Sequence, residues 1–393
     1  MGRPAFIDEE LLAHAHRAAL QIAPHADEIE TARRLPPGAM RALVESRIFK
    51  WLVPRAYGGA EASLATCVAA IEDIARADGS AGWIAMIGSL SGLMCGFLAD
   101  DVARAIYGPE DVLTCGVFAP LGQAIPVEGG FRVTGRWPFA SGCQDATWCM
   151  GGTLVEGVEG VKGVKGDLLP SGAPNVRSML FRASDIHILD TWTVSGLRGT
   201  GSHDFEVKDV FVPTERSFSL LTDRHCLPAY REGFFGALAA GVAAVALGIG
   251  RAAIEGFVAL AKAKRPLGAQ KSIAQRESVQ LTVARAEAKL RAARAFLFDT
   301  LESLIRDIAA RGQAPLEQRT LLRLAACHAA SESAAAVDLV YEAGGASAIY
   351  ATSPLQRHFR DVHTATQHFM VNASTSTLAG RLLLGLPTDT TTL

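Results

Sequence analysis

The chain has 393 residues, 49% hydrophobic and 20% charged, a composition that excludes a disordered or fibrous protein and allows a large buried core in two or three domains or one interlocked unit. Thirty-eight Lys and Arg stand against 40 Asp and Glu, so there is no basic field to draw in nucleic acid and no acidic tail. Seven cysteines are dispersed without a CxxC pair, which argues against a disulfide framework or a zinc ribbon and points to a reducing cytoplasm.

In chain order, three textures follow one another. Acids and histidines interrupt the first twenty residues where a signal peptide needs an apolar run, so export is not expected. Apolar residues then recur at helical spacing, as in Leu11, Ala15, Ala18, Ala19 and Ile22 and later Val68, Ile71, Ile74 and Ala75, predicting four or five helices in a domain over 1–111. Within 112–226, short β-prone runs alternate with Gly and Pro, and Glu128-Gly129-Gly130 marks a hairpin turn. Runs at 148–155, 176–182, 186–193 and 205–212 predict a small antiparallel sandwich or barrel, with 156–166 as a surface loop. Helical periodicity returns over 227–393 in long segments such as 274–310 and 315–341. The order is mainly α with one β insert, not the alternation of a doubly wound fold. Two uncharged stretches, 79–99 and 233–250, approach bilayer-spanning length, but they are rich in Gly, Ala and Ser and lack flanking basic clusters, so buried helices rather than membrane spans are expected.

Several stretches carry chemistry. Gly248-Ile-Gly250-Arg-Ala-Ala253 matches a dinucleotide fingerprint, but no second strand ending in an acid follows, so these small residues read as helix packing. His358, His363 and His368 are spaced by five, which turns each about 140° on a helix and prevents a shared metal-facing side, so no metal is expected. Arg360 and Asp361 read as structural pairing, while His368 is either functional or a satisfied core histidine. Trp137-Pro-Phe-Ala-Ser141-Gly142 closes a strand with an aromatic, a hydroxyl and a glycine; by itself a strand-end Trp is more often core and a Ser-Gly pair usually a turn. The segment from Asp190 to Ser202 alternates glycines with hydroxyls around Arg198, fit for a polar ligand or for a tight strand connection.

Taken in order with Trp51-Leu-Val-Pro-Arg-Ala-Tyr57-Gly-Gly, Gly79-Ser80-Ala-Gly82-Trp83-Ile, Val210-Phe-Val-Pro213 and the stretch from Gln356 to His368, these motifs resemble the acyl-CoA dehydrogenase superfamily. Within it they are similar to the flavin-dependent monooxygenase branch of hydroxyphenylacetate, hydroxy-steroid-acid and dibenzothiophene oxygenases. The resemblance implies an N-terminal helical domain, a central β domain and a C-terminal four-helix bundle, assembled as a homotetramer. It implies the oxygenase component of a two-component system, in which reduced FMN or FAD arrives from a separate NAD(P)H-dependent reductase and reacts with O2. A C4a-hydroperoxyflavin would then oxygenate a small, largely apolar molecule. His368 and Ser141 would be catalytic, Ser141 bonding flavin N5. Trp137, Phe139, Ser141, Gly142, Arg198, Thr200, Ser202, Gly344 and Gly345 would hold the cofactor. Trp83, Ser89, Trp192 and His363 would line the substrate pocket. The alternative is an acyl-CoA dehydrogenase-like oxidoreductase, whose catalytic glutamate is missing beside Gln367-His368-Phe369-Met370, leaving only Glu232.

Overall fold

A computed structural model of the chain describes residues 6–156, 174–220, 222–223, 225–226, 228–391 and 393, with the side chains of 228–232 outside that description. The predicted loop at 156–166 therefore lies almost wholly outside the described residues, as does the side chain of Glu232. Helices α1 (Glu9–Ile22), α2 (Ala26–Ala32), α3 (Pro37–Glu45), α4 (Leu64–Ala77), α5 (Gly79–Ser91) and α6 (Asp100–Tyr107) come first. These are six where four or five were expected, because α2 and α6 are too short to show a helical period. Ser63 accepts from Thr66 N at 3.1 Å and so caps α4, and Asp78 accepts from Ala81 N at 2.9 Å and caps α5 immediately after α4 ends. That shared corner gives α5 a definite rotation about its axis.

The strands are β1 (Thr114–Val127), β2 (Gly130–Trp137), β3 (Trp148–Val155), β4 (Val176–Arg182), β5 (His187–Leu189), β6 (Asp204–Pro213) and β7 (Ser217–Phe218), in the sheet order β5-β6-β2-β1-β3-β4-β7. The expected hairpin joins β1 to β2 with Val127 opposite Gly130. The sheet departs from the all-antiparallel expectation at one pairing, since β1 and β3 run parallel. After β2 the chain crosses the sheet end through residues 138–147 and returns on the other side of β1, which forces β3 into the direction of β1. The crossing segment is the one that carries Phe139, Ser141 and Gly142.

Long helices close the fold: α7 (Pro228–Ala263), α8 (Glu277–Arg311), α9 (Leu316–Gly344), α10 (Pro354–Thr366) and α11 (Ala373–Leu383). Helix α7 forms the bundle axis, with residues such as Val242, Val245 and Ile249 fully buried. Gly248 and Gly250 lie inside it. A Cβ on Gly248 would stand 2.4 Å from Glu72 O, so the glycine serves close packing against α4. The two apolar windows Gly79–Phe97 and Gly233–Ala263 are long enough to cross a membrane, yet 94% and 89% of them is buried inside the protein.

Candidate active site

Trp83 on α5 organises the site. Its Nε1–H donates to Ser141 Oγ at 3.0 Å, and its ring meets His368 edge-on with centroids 5.5 Å apart. Ser141 Oγ lies 2.7 Å from Ser202 Oγ, which lies 2.7 Å from Thr200 Oγ1, and Thr200 Oγ1 donates to Leu197 O at 2.8 Å. All three hydroxyls are buried. The row ends on α10, where Asp361 Oδ1 accepts from Leu197 N at 2.6 Å. Helix α5, the crossing segment after β2, the loop before β6 and helix α10 are thus tied together by one line of hydrogen bonds, each buried and so energetically significant.

The backbone around this line is strained. Phe139 has φ 66° and Leu197 φ 50°, left-handed values uncommon for bulky residues, while Gly142 takes φ 77° at the position where a glycine is suited to it. The Phe139 side chain is 69% exposed and meets Trp192 edge-on at 6.2 Å. An aromatic ring is thus left open to solvent beside the buried hydroxyls. Trp192 Nε1 donates to Leu197 O at 3.2 Å, so the ring is held by the same loop.

His368 follows the end of α10 rather than lying on it, and its Nδ1 accepts from Met370 N at 3.3 Å. Burial, with a smaller contribution from the Arg323 charge, pushes its pKa down to about 4, so the ring is neutral at pH 7. With Nδ1 accepting, the remaining proton is on Nε2. Arg323 is itself unusual: only 2% exposed, it donates to Phe235 O at 3.0 Å and to Met370 Sδ at 2.7 Å, and its Nε has no partner. Among the described residues no carboxylate pairs with it, and its burial lowers its pKa to about 10. An arginine within the Ala-rich stretch of α9 is the sequence signal for this residue.

The residues singled out in the sequence divide on this geometry. Trp83, Ser141, Thr200 and Ser202 are joined directly, with His368, Phe139, Gly142 and Trp192 beside them. Arg198 lies in the same loop, 3.8 Å from Glu30, with its Nε unpartnered. Trp137 is a correction. Its indole is fully buried, donates to Gly152 O at 2.8 Å and stacks on Phe205 at 4.9 Å, so it has no face left for a cofactor. Gly122, Gly135 and Gly151 open the slot it fills, since a Cβ on any of them would approach the ring within 2.6 Å. Ser89 is a second correction: fully buried, it donates to Ala85 O at 2.6 Å and faces Ile48 O at 3.0 Å, on the side of α5 away from Trp83. His363 is a third, for it bonds Asp338 of α9 at 2.8 Å and packs on Phe359, with no contact to the Trp83–Ser141 line. Gly344 and Gly345 lie at the end of α9 beside Lys264, roughly 32 Å along α9 from Arg323. Arg360 and Asp361 do not pair with each other. Arg360 bonds Glu30 at 2.8 Å and Ser195 O, and Asp361 holds Leu197.

A cleft of about 770 Å³ between α1, α4, α7 and α8 is not the site, because its arginines are neutralised: Arg251 by Glu287 at 2.6 Å, Arg294 by Glu72 at 2.7 Å and Arg76 by Glu255 at 2.9 Å. The hydroxyl row, the exposed Phe139 and the unpartnered Arg198 Nε instead fit a flat, polar-edged heterocycle such as a flavin.

Fold and site together define a flavoprotein class. The chain belongs to the acyl-CoA dehydrogenase family, in its flavin-dependent monooxygenase branch: the N-terminal domain of acyl-CoA dehydrogenase matches residues 8–100 and the C-terminal domain residues 240–373. Among its relatives, an indole-3-acetate monooxygenase of Pseudomonas putida is 34% identical over 91% of this chain and 89% of its own length. The oxygenase component of an FADH2-dependent resorcinol hydroxylase of a Rhizobium species is 31% identical over 92% and 90%. The crystal structure of a 3-HSA hydroxylase from a Rhodococcus species superposes with a TM-score of 0.87 at 29% identity, covering 97% of this chain and 98% of that one.

Proposed function

We propose that the protein is the oxygenase component of a two-component flavin-dependent monooxygenase that acts on a small aromatic molecule. The observation that carries the reading is the neutral His368 set across Trp83 from the Ser141 hydroxyl, in a chain matched along nine-tenths of its length by monooxygenases. When bound, reduced flavin supplies the two electrons that let one atom of O2 enter the product while the other leaves as water. The residues of this chain supply the surroundings. Ser141 presents its hydroxyl to flavin N5. His368 offers its Nε2–H as a hydrogen-bond donor. Phe139 and Trp192 cover the ring face and keep water from the reacting edge. The absence of a carboxylate at the His368 position removes the base that an α-proton abstraction requires.

Reduced FAD is the proposed cofactor, in keeping with the FADH2-dependent resorcinol hydroxylase, and a separate NAD(P)H-dependent reductase supplies it. The proposed assembly is a homotetramer. Ile349, Tyr350, Leu383 and Leu384 expose apolar surface at the bundle ends. Seven cysteines outside any disulfide, six of them buried, suit a cytoplasmic location.

The test is to mix the protein anaerobically with reduced FAD, add aromatic substrates including indole-3-acetate and resorcinol, and admit 18O2. Incorporation of one labelled atom into product supports the reading. Failure to bind either redox state of flavin, or anaerobic bleaching of bound oxidised flavin by an acyl-CoA, overturns it.

A further inference from the structure

The hydroxyl row has a direction. Leu197 O, a carbonyl, can only accept, so the single hydroxyl hydrogen of Thr200 is committed to it at 2.8 Å. Ser202 must then donate to Thr200, and Ser141 must donate to Ser202, each across 2.7 Å. Trp83 Nε1–H occupies one lone pair of Ser141 Oγ at 3.0 Å. What Ser141 has left to offer is one lone pair and no hydrogen.

We propose that this polarised row, anchored by Thr200 on Leu197 O, makes Ser141 a hydrogen-bond acceptor and thereby selects reduced flavin over oxidised flavin. The inference rests on the reading of Ser141 as the neighbour of flavin N5. Reduced flavin carries N5–H, a donor that satisfies the free lone pair. Oxidised flavin presents a bare N5, an acceptor facing an acceptor, and binding it requires the row to be reversed or a buried polar atom to go unsatisfied. Thr200 and Ser202 are positioning residues in this scheme, since they act only through Ser141. A protein that takes reduced flavin from solution and must discard the oxidised form gains from such a discrimination, which one lost hydrogen bond sets at roughly ten- to a hundredfold.

Thr200→Val is the decisive variant. It keeps the shape, removes the anchor and leaves Ser141 as the only acceptor for the Ser202 hydrogen. Ser141 then accepts from both Trp83 and Ser202 and has only its own hydrogen to present. Dissociation constants for reduced FAD under anaerobic conditions and for oxidised FAD are measured by ultrafiltration, together with the midpoint potential of bound FAD. The expected result is that oxidised FAD binds more tightly, reduced FAD more weakly, and the ratio of the two constants falls roughly ten- to a hundredfold. The potential drops by about 30 mV for each factor of ten. Ser202→Ala, which frees the Ser141 hydrogen, moves the ratio in the same direction and serves if the valine variant does not fold. Simple loosening of the loop would weaken both forms alike. If Ser141→Ala lowers the ratio while Thr200→Val and Ser202→Ala leave it unchanged, the directional row is refuted and the N5 reading stands. If Ser141→Ala also leaves it unchanged, Ser141 is not beside N5 and both fall.

Discussion

Replacing Asp361 by Asn tests the anchor of the whole site. Asp361 is 3% exposed and its pKa is raised from 3.8 to about 7, chiefly by burial and then by the charges of Asp78 and Glu30, against the opposing Leu197 N–H and Arg360. The folded chain therefore holds this proton more tightly than the unfolded chain. Between about pH 3.8 and 7 stability falls as pH rises, and above 7 the loss is complete. At about 1.4 kcal/mol per tenfold change in proton affinity, the displacement sets a ceiling of roughly 4 kcal/mol. The Asn variant keeps an oxygen to accept from Leu197 N but carries no charge. Denaturation profiles of both proteins are compared from pH 5 to 8 at equal protomer concentration; at pH 5, above the unfolded pKa, the wild type has already lost up to about 1.6 kcal/mol relative to the variant, and the gap widens by up to about 3 kcal/mol towards pH 8. At pH 8 the variant should be more stable by about 1 to 4 kcal/mol. Parallel profiles, with the variant weaker at both ends, would refute the argument and show that an ionised Asp361 is what the loop requires.

His368→Ala should lower product formed per reduced flavin consumed while flavin still binds, and unchanged coupling would remove His368 from the chemistry. Because burial holds His368 near a pKa of about 4, coupling should be flat from pH 5.5 to 8 and fail only on further acidification; an inflection near 6.5 that disappears in the alanine variant would contradict a neutral, buried ring. The same lowered pKa makes its contribution to stability complete above 6.5 and progressively lost as pH falls towards 4, because the unfolded chain takes the proton first. Trp83→Phe keeps the edge contact with His368 but deletes the donor to Ser141, and should cost about 1 kcal/mol in thermal or denaturant unfolding; a change indistinguishable from zero would show that the bond is replaced by water. Arg323→Met removes a buried cation that has no anionic partner among the described residues and should leave stability unchanged or raise it by about 1 to 3 kcal/mol, whereas a loss above 2 kcal/mol would mean that the guanidinium is compensated in solution.

The elements were legible where one period dominated. The spacing of apolar residues locates α8 and α9, and the alternation of Gly-flanked β-prone runs locates β3, β4 and β6. Strand direction was not legible, because parallel pairing of β1 with β3 depends on which edge the crossing segment reaches, a choice that residues 138–147 do not encode locally. Of the site, the hydroxyls were visible as a composition: Ser141, Thr200 and Ser202 stand in two glycine-rich loops. That Ser141 and Ser202, 61 positions apart, share a hydrogen bond was not visible in either loop.

Residue type and local period thus determined that the chain builds helices, then a sheet, then a bundle, and which loops are rich in donors. Tertiary structure decided which side chains face the site. Ser89 lies six residues after Trp83, a rotation that sets it about 120° away around α5, facing Ile48 rather than Ser141. Trp137 is drawn into the sheet because three glycines from three strands leave a slot of its size, and His368 escapes the five-residue spacing because α10 ends at Thr366. The direction of the hydroxyl row belongs to neither loop alone. It is set where Thr200 meets the Leu197 carbonyl, in a backbone held from the other side by Asp361, and hydrogen bonds between distant segments acquire a direction only when the fold has brought an obligate acceptor to one end.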